Sequence, residues 1–149
     1  MPLTGRYDHR LDPKRRFTIP SEWIERMGKP SRVYVMKSLS GRRCIDVFSQ
    51  SEFDKKLEPF RNRAITDEAA AGFLSRLGER VESLGIDTQN RIRVKDSLLG
   101  YAGITDDDDD LVLIGATFRF EIWSLGNRPK DDGAGADDDF NAEAGRWGL

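Results

Sequence analysis

The sequence predicts a mainly β protein with short helices, assembled from two copies of one small unit. Three observations carry this. The block Leu11-Asp12-Pro13-Lys14-Arg15-Arg16-Phe17-Thr18-Ile19 recurs 75 positions later as Ile86-Asp87-Thr88-Gln89-Asn90-Arg91-Ile92-Arg93-Val94, each reading apolar, Asp, three residues, Arg, apolar, any, apolar. The offset persists in Ile45-Asp46-Val47-Phe48-Ser49 over Phe120-Glu121-Ile122-Trp123-Ser124, where apolar and acidic residues alternate alike. Between these blocks, Val33-Tyr34-Val35-Met36 parallels Leu111-Val112-Leu113-Ile114, with an adjustment in loop length.

Each unit therefore runs strand, turn, strand, short helix, strand, strand. In the first, a strand over 6–11 enters the Asp12–Arg16 turn and one over 16–20 leaves it. Ser21 suits the N-cap of a helix carrying Trp23, Ile24 and Met27 and stopped at Gly28. Segments 32–37 and 44–49 form a hairpin around Ser40-Gly41. In the second unit, 79–86 precedes the turn and 91–94 follows it. Asp96 is the expected cap of a helix over 97–102, Gly103 ends it, and 111–115 with 119–124 make the closing hairpin. The join is helical in character: Phe53 and Leu57 share a face within 51–59, as do Ala70, Phe73, Leu74 and Leu77 within 67–77. The expected organisation is a first repeat at 5–50, a helical linker at 51–78, a second repeat at 79–125 and an acidic tail at 126–149. The tail is rich in Gly and Asp, has little apolar periodicity beyond Phe140 and Trp147, and is expected to be disordered.

Composition narrows the function. With 38% hydrophobic and 34% charged residues, the 149-residue chain is polar yet able to build one small core. No apolar run approaches the roughly 18–20 residues of a membrane span, and the opening residues lack the apolar stretch of a secretory signal. A cytoplasmic location is expected. The single Cys44 excludes an internal disulfide and any multi-cysteine zinc site, and the single His9 argues against a histidine metal site. No phosphate-binding glycine loop, nucleophile elbow or HExxH is present, so neither an enzyme nor a cofactor is expected. The net charge of −2 conceals an asymmetry: residues 1–43 hold eleven cations and four anions, a net +7, which leaves −9 for the other 106 residues. A basic first third suits a polyanion.

The turns sharpen that reading. In Asp-x-x-x-Arg the carboxylate can accept backbone N–H groups across the turn and hold the strand-exit arginine in place. The first copy crowds Lys14, Arg15 and Arg16 onto one tight turn, a repulsion that a phosphate backbone would relieve. The bland alternative is a pair of intra-turn ion pairs contributing about 0–1 kcal/mol each; recurrence at one joint of a duplicated unit weighs against it.

These residues resemble the MraZ family of transcriptional regulators, within the SpoVT/AbrB-like superfamily. The resemblance rests on Gly5-Arg6-Tyr7-Asp8-His9-Arg10-Leu11-Asp12-Pro13-Lys14-Arg15-Arg16, on Ile19-Pro20, on Val47-Phe48-Ser49 with Glu52-Phe53, and on Gly115-Ala116 followed by Arg119-Phe120-Glu121-Ile122-Trp123. It spans about residues 3–124. It implies a swapped-hairpin β-barrel closed by the two AbrB-like repeats of one chain. It also implies ring-like homo-oligomers on double-stranded DNA, bound to tandem repeats upstream of the protein's own operon in a division and cell-wall gene cluster. The expected DNA-binding residues are Lys14, Arg15, Arg16, Arg91 and Arg93, with Asp12 and Asp87 stabilising the turns. The expected role is a repressor, nucleoid-associated. Arg15 and Asn90 stand where such turns usually carry Gly. Asn tolerates a left-handed backbone and Arg resists it, so the first turn is expected to be strained or shaped differently.

Other features have plainer readings beside functional ones. The acid run 106–110 could attract Mg²⁺ or Ca²⁺ but lacks ligand spacing and the glycine of a calcium loop, which favours a solvated loop. The tail reads as a solubilising segment, or as a nucleic-acid mimic covering the basic turns. Cys44 is expected to be buried and inert, and His9 either orients Asp12 or is a simple strand residue. Trp23 and Trp123 suit the core or a subunit contact, while Phe17 and Ile92 face the core. Two alternatives stay open: an antitoxin-like relative that binds a toxin through its tail, and an assembly module whose basic turns meet acidic proteins rather than DNA.

Overall fold

The first third of the chain forms β1 (Arg6–Arg10), β2 (Phe17–Thr18), α1 (Ser21–Arg26), β3 (Arg32–Lys37) and β4 (Ile45–Phe48). Then come α2 (Gln50–Thr66), α3 (Glu68–Arg80), β5 (Glu82–Gly85), β6 (Arg91–Ile92), α4 (Asp96–Tyr101), β7 (Asp110–Gly115), β8 (Phe120–Ser124) and α5 (Ala136–Arg146). These elements come from a computed structural model that describes residues 2–106, 109–130 and 133–149.

Six strands form one antiparallel sheet in the order β1-β7-β8-β4-β3-β5, and β2 pairs with β6 apart from it. The opening strand of each half is given to the other half's hairpin. β1 lies on β7, with Tyr7 opposite Leu113, and β5 lies on β3, with Leu84 opposite Val33. The hairpins meet where β4 and β8 pair, setting Asp46 against Glu121. The mainly β class and short helices hold, but the expected closed barrel does not: β1 and β5 end the sheet and do not pair. The reason lies in the turns. After β1 and β5 the chain bends away, and β2 and β6 bond to each other rather than completing a ring.

The β2–β6 ribbon still covers the core. Phe17, Ile19, Ile92 and Val94 pack with Trp23, Val35, Val47, Leu99, Phe120 and Ile122 in one buried cluster. Gly115 is tight because the Thr4 backbone crosses it; a Cβ there would lie 2.6 Å from the Thr4 nitrogen. On the other face of the sheet, α2 and α3 cover Met36 and Phe48 through Phe53, Leu57, Leu74 and Leu77.

Local details depart from expectation. Pro20 and Lys95, not Ser21 and Asp96, stand at the N-caps of α1 and α4, with no side-chain capping bond. α2 runs on through Pro59 to Thr66, held by packing such as Phe60 on Phe73, with centroids 6.0 Å apart; tertiary contact overrides the local cost of an interior proline. The tail, expected to be disordered, carries α5. Asp137, Asp138 and Asp139 lie at its positive end and Arg146 at its negative end, which suits the helix dipole.

No helix among the described residues is long and apolar enough to cross a membrane.

Candidate nucleic-acid interface

The turns are built alike, atom for atom. Asp12 Oδ1 accepts the backbone N–H groups of Lys14 (2.9 Å) and Arg16 (2.7 Å), while its Oδ2 accepts Arg16 Nε at 2.9 Å. Asp87 Oδ1 accepts those of Gln89 and Arg91 (both 2.9 Å), and its Oδ2 accepts Arg91 Nε at 2.7 Å. Backbone bonds close both loops, from Asp12 N–H to Arg16 O and from Asp87 N–H to Arg91 O. Arg15 and Asn90 share the left-handed conformation, with φ of +61° and +62°. The first turn is therefore not reshaped; Arg15 accepts a conformation that costs a non-glycine residue roughly 1–2 kcal/mol.

The turns sit side by side. β2 and β6 put Thr18 opposite Arg91, Ile19 N–H donates to Asn90 O at 2.7 Å, and Arg16 Nη1 lies 3.9 Å from Asp87 Oδ2. Arg16 and Arg91 are half-buried, each with Nε turned inward on its aspartate. Lys14 and Arg93 are exposed and Arg15 is half-buried. The N–H groups of Arg16 and Arg91 hold the Asp12 and Asp87 carboxyls below their ordinary range. Both stay ionised, so the arginines are held by charged acceptors.

Asp96 was expected only to cap α4. Its Oδ1 instead accepts Arg15 Nε at 2.9 Å and Arg93 Nη2 at 3.0 Å, joining the first turn to the strand-exit residue of the second half. These bonds, that from Arg93 foremost, lower its pKa. Arg93 also reaches the Val94 carbonyl. Arg15, Arg16, Arg91 and Arg93 are thus joined through three carboxylates, and Lys14 is exposed on the first turn.

The other sequence features fall elsewhere. His9 is a strand residue paired with Leu111; burial lowers its pKa. Asp109 accepts the N–H groups of Thr105 and Asp106, and Asp110 pairs with Arg10 at 2.7 Å. Asp107 and Asp108 of the acid run lie outside the described residues. Trp23 and Trp123 are both buried.

A second charged cluster escaped the sequence reading. Asp46 and Glu121 are buried where β4 meets β8. Arg119 spans them, with Nε 3.1 Å from Asp46 and Nη2 2.7 Å from Glu121; Arg42 and Trp123 Nε1 also donate to Glu121. Burial pushes the Asp46 carboxyl up and Cys44 up to about 12, so the thiol stays neutral. The ligand atoms of Cys44, Asp46 and Glu121 lie within 4.8 Å of one another. Guanidiniums already engage both carboxylates, so the cluster is a charged clasp between the halves rather than a metal cage. The alternation of acid with apolar residues at 45–49 and 120–124 was its one sequence signal.

Fold and face together define a class: a mainly β protein whose two halves exchange their first strands and present a pair of Asp-x-x-x-Arg turns on one face. No family model matches the chain. Curated relatives are nonetheless clear. It is 34% identical over 119 residues to the transcriptional regulator MraZ of Leifsonia xyli subsp. xyli, covering 80% of this chain and 78% of that one. Identity to the transcriptional regulator MraZ of Clostridium acetobutylicum is 31% over 120 residues, 80% of each chain. With that of Acetivibrio thermocellus it is 27% over 140 residues, 94% and 91% of the two. The chain belongs to the MraZ family of transcriptional regulators.

Proposed function

We propose that this protein is a sequence-specific DNA-binding repressor of the division and cell-wall gene cluster, acting in the cytoplasm at the nucleoid. It binds tandem repeats upstream of its own operon as a ring-like homo-oligomer. The observation that carries this reading is the pair of turns, identically hydrogen-bonded and side by side, each presenting an arginine oriented by an ionised aspartate. An arginine held through Nε keeps its terminal nitrogens for a guanine edge, a contact that discriminates by about 1–3 kcal/mol. Lys14, Arg15 and Arg93 serve the phosphates, which supply the salt-dependent affinity. One subunit carries few cations, so tight binding needs several subunits on adjacent repeats.

The test is fluorescence anisotropy on the DNA upstream of the protein's own gene across a salt series, with scrambled DNA as control. Wild type should bind the native DNA tightly, selectively and with a steep salt slope, and Arg16→Ala should lose roughly 5–150-fold in affinity for it, the equivalent of about 1–3 kcal/mol. Equal binding of both DNAs, or of neither at low salt, overturns the reading.

A further inference from the structure

α5 is an amphipathic helix whose apolar face is left uncovered among the described residues. None of its residues is buried. Phe140, Ala144 and Trp147 fall at i, i+4 and i+7, on one face, and Phe140 and Trp147 are 61% and 78% exposed. At 1.5 Å per residue the two rings stand about 10.5 Å apart along the axis. The rest of the helix is acidic, with Asp137, Asp138, Asp139 and Glu143 against Arg146. An isolated helix of this length is marginal in water, and burial of its apolar face is the usual remedy.

The chain also holds a matching, empty surface. Two apolar grooves adjoin on the α2–α3 side of the sheet, sharing Phe53, Leu57 and Leu77 as the ridge between them. The larger, about 410 Å³, is walled by Tyr34, Leu74 and Val81, and its one charged lining residue is Arg61. The smaller, about 260 Å³, is walled by Met36, Leu39, Phe60 and Phe73, and its one charged lining residue is Lys56. Two grooves separated by one ridge, each lined by a cation and no acid, although Arg61 also reaches Asp54 at 3.5 Å, suit a helix with two aromatic rings and an acidic flank. This is the helix-in-groove mode of recognition.

We propose that α5 of one copy docks across the α2–α3 grooves of a second copy, seating Phe140 and Trp147 on either side of the Phe53–Leu57–Leu77 ridge, its acids toward Lys56 and Arg61. Within one chain α5 leaves these rings exposed. Each copy gives one helix and receives one. The interface is therefore head-to-tail, the kind that closes into rings when the rotation permits. The inference deepens the multi-subunit reading above and rests on it, but the surfaces are far in sequence from the cationic turns.

The experiment uses full-length chains without DNA, so assembly and DNA binding are read separately. One variant disables the helix (Phe140→Glu with Trp147→Glu) and another the groove rim (Lys56→Glu with Arg61→Glu), all at exposed or rim positions. Mass is measured by light scattering over a concentration series, with circular dichroism confirming the fold. Wild type should be oligomeric, each variant should need at least tenfold higher concentration to assemble, and an equimolar mixture of the two should form 1:1 heterodimers. Adding Asp137→Lys and Asp138→Lys to the groove variant should restore assembly. Wild-type mass in both variants overturns the proposal. So does a monomeric wild type, whether its Trp147 emission is blue-shifted, which would mean docking within one chain, or fully solvent-like. An oligomer that assembles as described but ignores DNA would leave this interface standing and remove the repressor reading.

Discussion

Replacing Arg119 with Met tests whether the two halves are held together by a charged clasp. Methionine keeps much of the aliphatic stem and removes two charge-assisted hydrogen bonds, at 3.1 Å to Asp46 and 2.7 Å to Glu121. Those carboxylates face each other in register and are only 5% and 4% exposed. Glu121 retains Arg42 and Trp123, whereas Asp46 loses the guanidinium bonded to it. Breaking a buried pair by deleting one member costs about 3–5 kcal/mol. Arg119 is 28% exposed, so water softens the loss toward the lower end, about 3 kcal/mol. At roughly 2–4 °C per kcal/mol for a chain of this size, Tm should fall by about 6–12 °C.

The sign of the pH effect follows from Asp46. Its folded pKa lies above the unfolded value, mainly through burial. Its contribution is therefore fully present below the unfolded pKa of about 3.9 and is lost as pH rises through the folded pKa. Without Arg119 that folded pKa rises further, so the deficit in the variant should shrink between pH 7 and pH 5. Urea unfolding followed by tryptophan fluorescence at both pH values is the assay, with unchanged m-values as the condition for comparing them. Adding Asp46→Asn to the variant should recover at least half of the loss. A loss under about 1 kcal/mol at pH 7, where breaking a buried pair predicts about 3–5, would refute the reasoning; so would a deficit that grows at pH 5.

Two further outcomes bear on the cationic face. Asp12 and Asp87 have lowered folded pKa values, chiefly through backbone N–H donors, so their stabilising effect is present above the unfolded pKa of about 3.9 and fades as pH falls through the folded values. Carboxyl ¹³C titration by NMR should give both midpoints below about 3.9; a midpoint at or above it would remove the aspartates as anchors of the turns. Asp96→Asn weakens the hold on Arg15 and Arg93 while deleting a negative charge from the face. Affinity for scrambled DNA should rise and the preference for native over scrambled DNA should fall, as read by anisotropy; an equal gain on both would make Asp96 merely a repelling charge.

What was legible in the sequence is local. An aspartate four residues before an arginine can bond across its own turn, and both copies do. The recurrence of one pattern marked β3, β4, β7 and β8, although β4 and β8 are buried on both faces, so the acids that alternate with their apolar residues are buried too. The cap of α4 failed because the Asp96 carboxylate is engaged by Arg15, 81 positions away. The tail carries α5, where three aspartates that look disordering by composition are favourable at a helix N-terminus.

The sequence by itself determined the chemistry of the two turns and the mainly β class, since each depends on groups a few residues apart. Only the tertiary structure decided that β1 lies on β7 and β5 on β3, that the ribbon stands beside an open sheet, and that Arg119 lies between Asp46 and Glu121. The physical reason is that these contacts join groups far apart along the chain. Their energy depends on which surfaces exclude water together, and the periodicity of any one segment does not specify its distant partner.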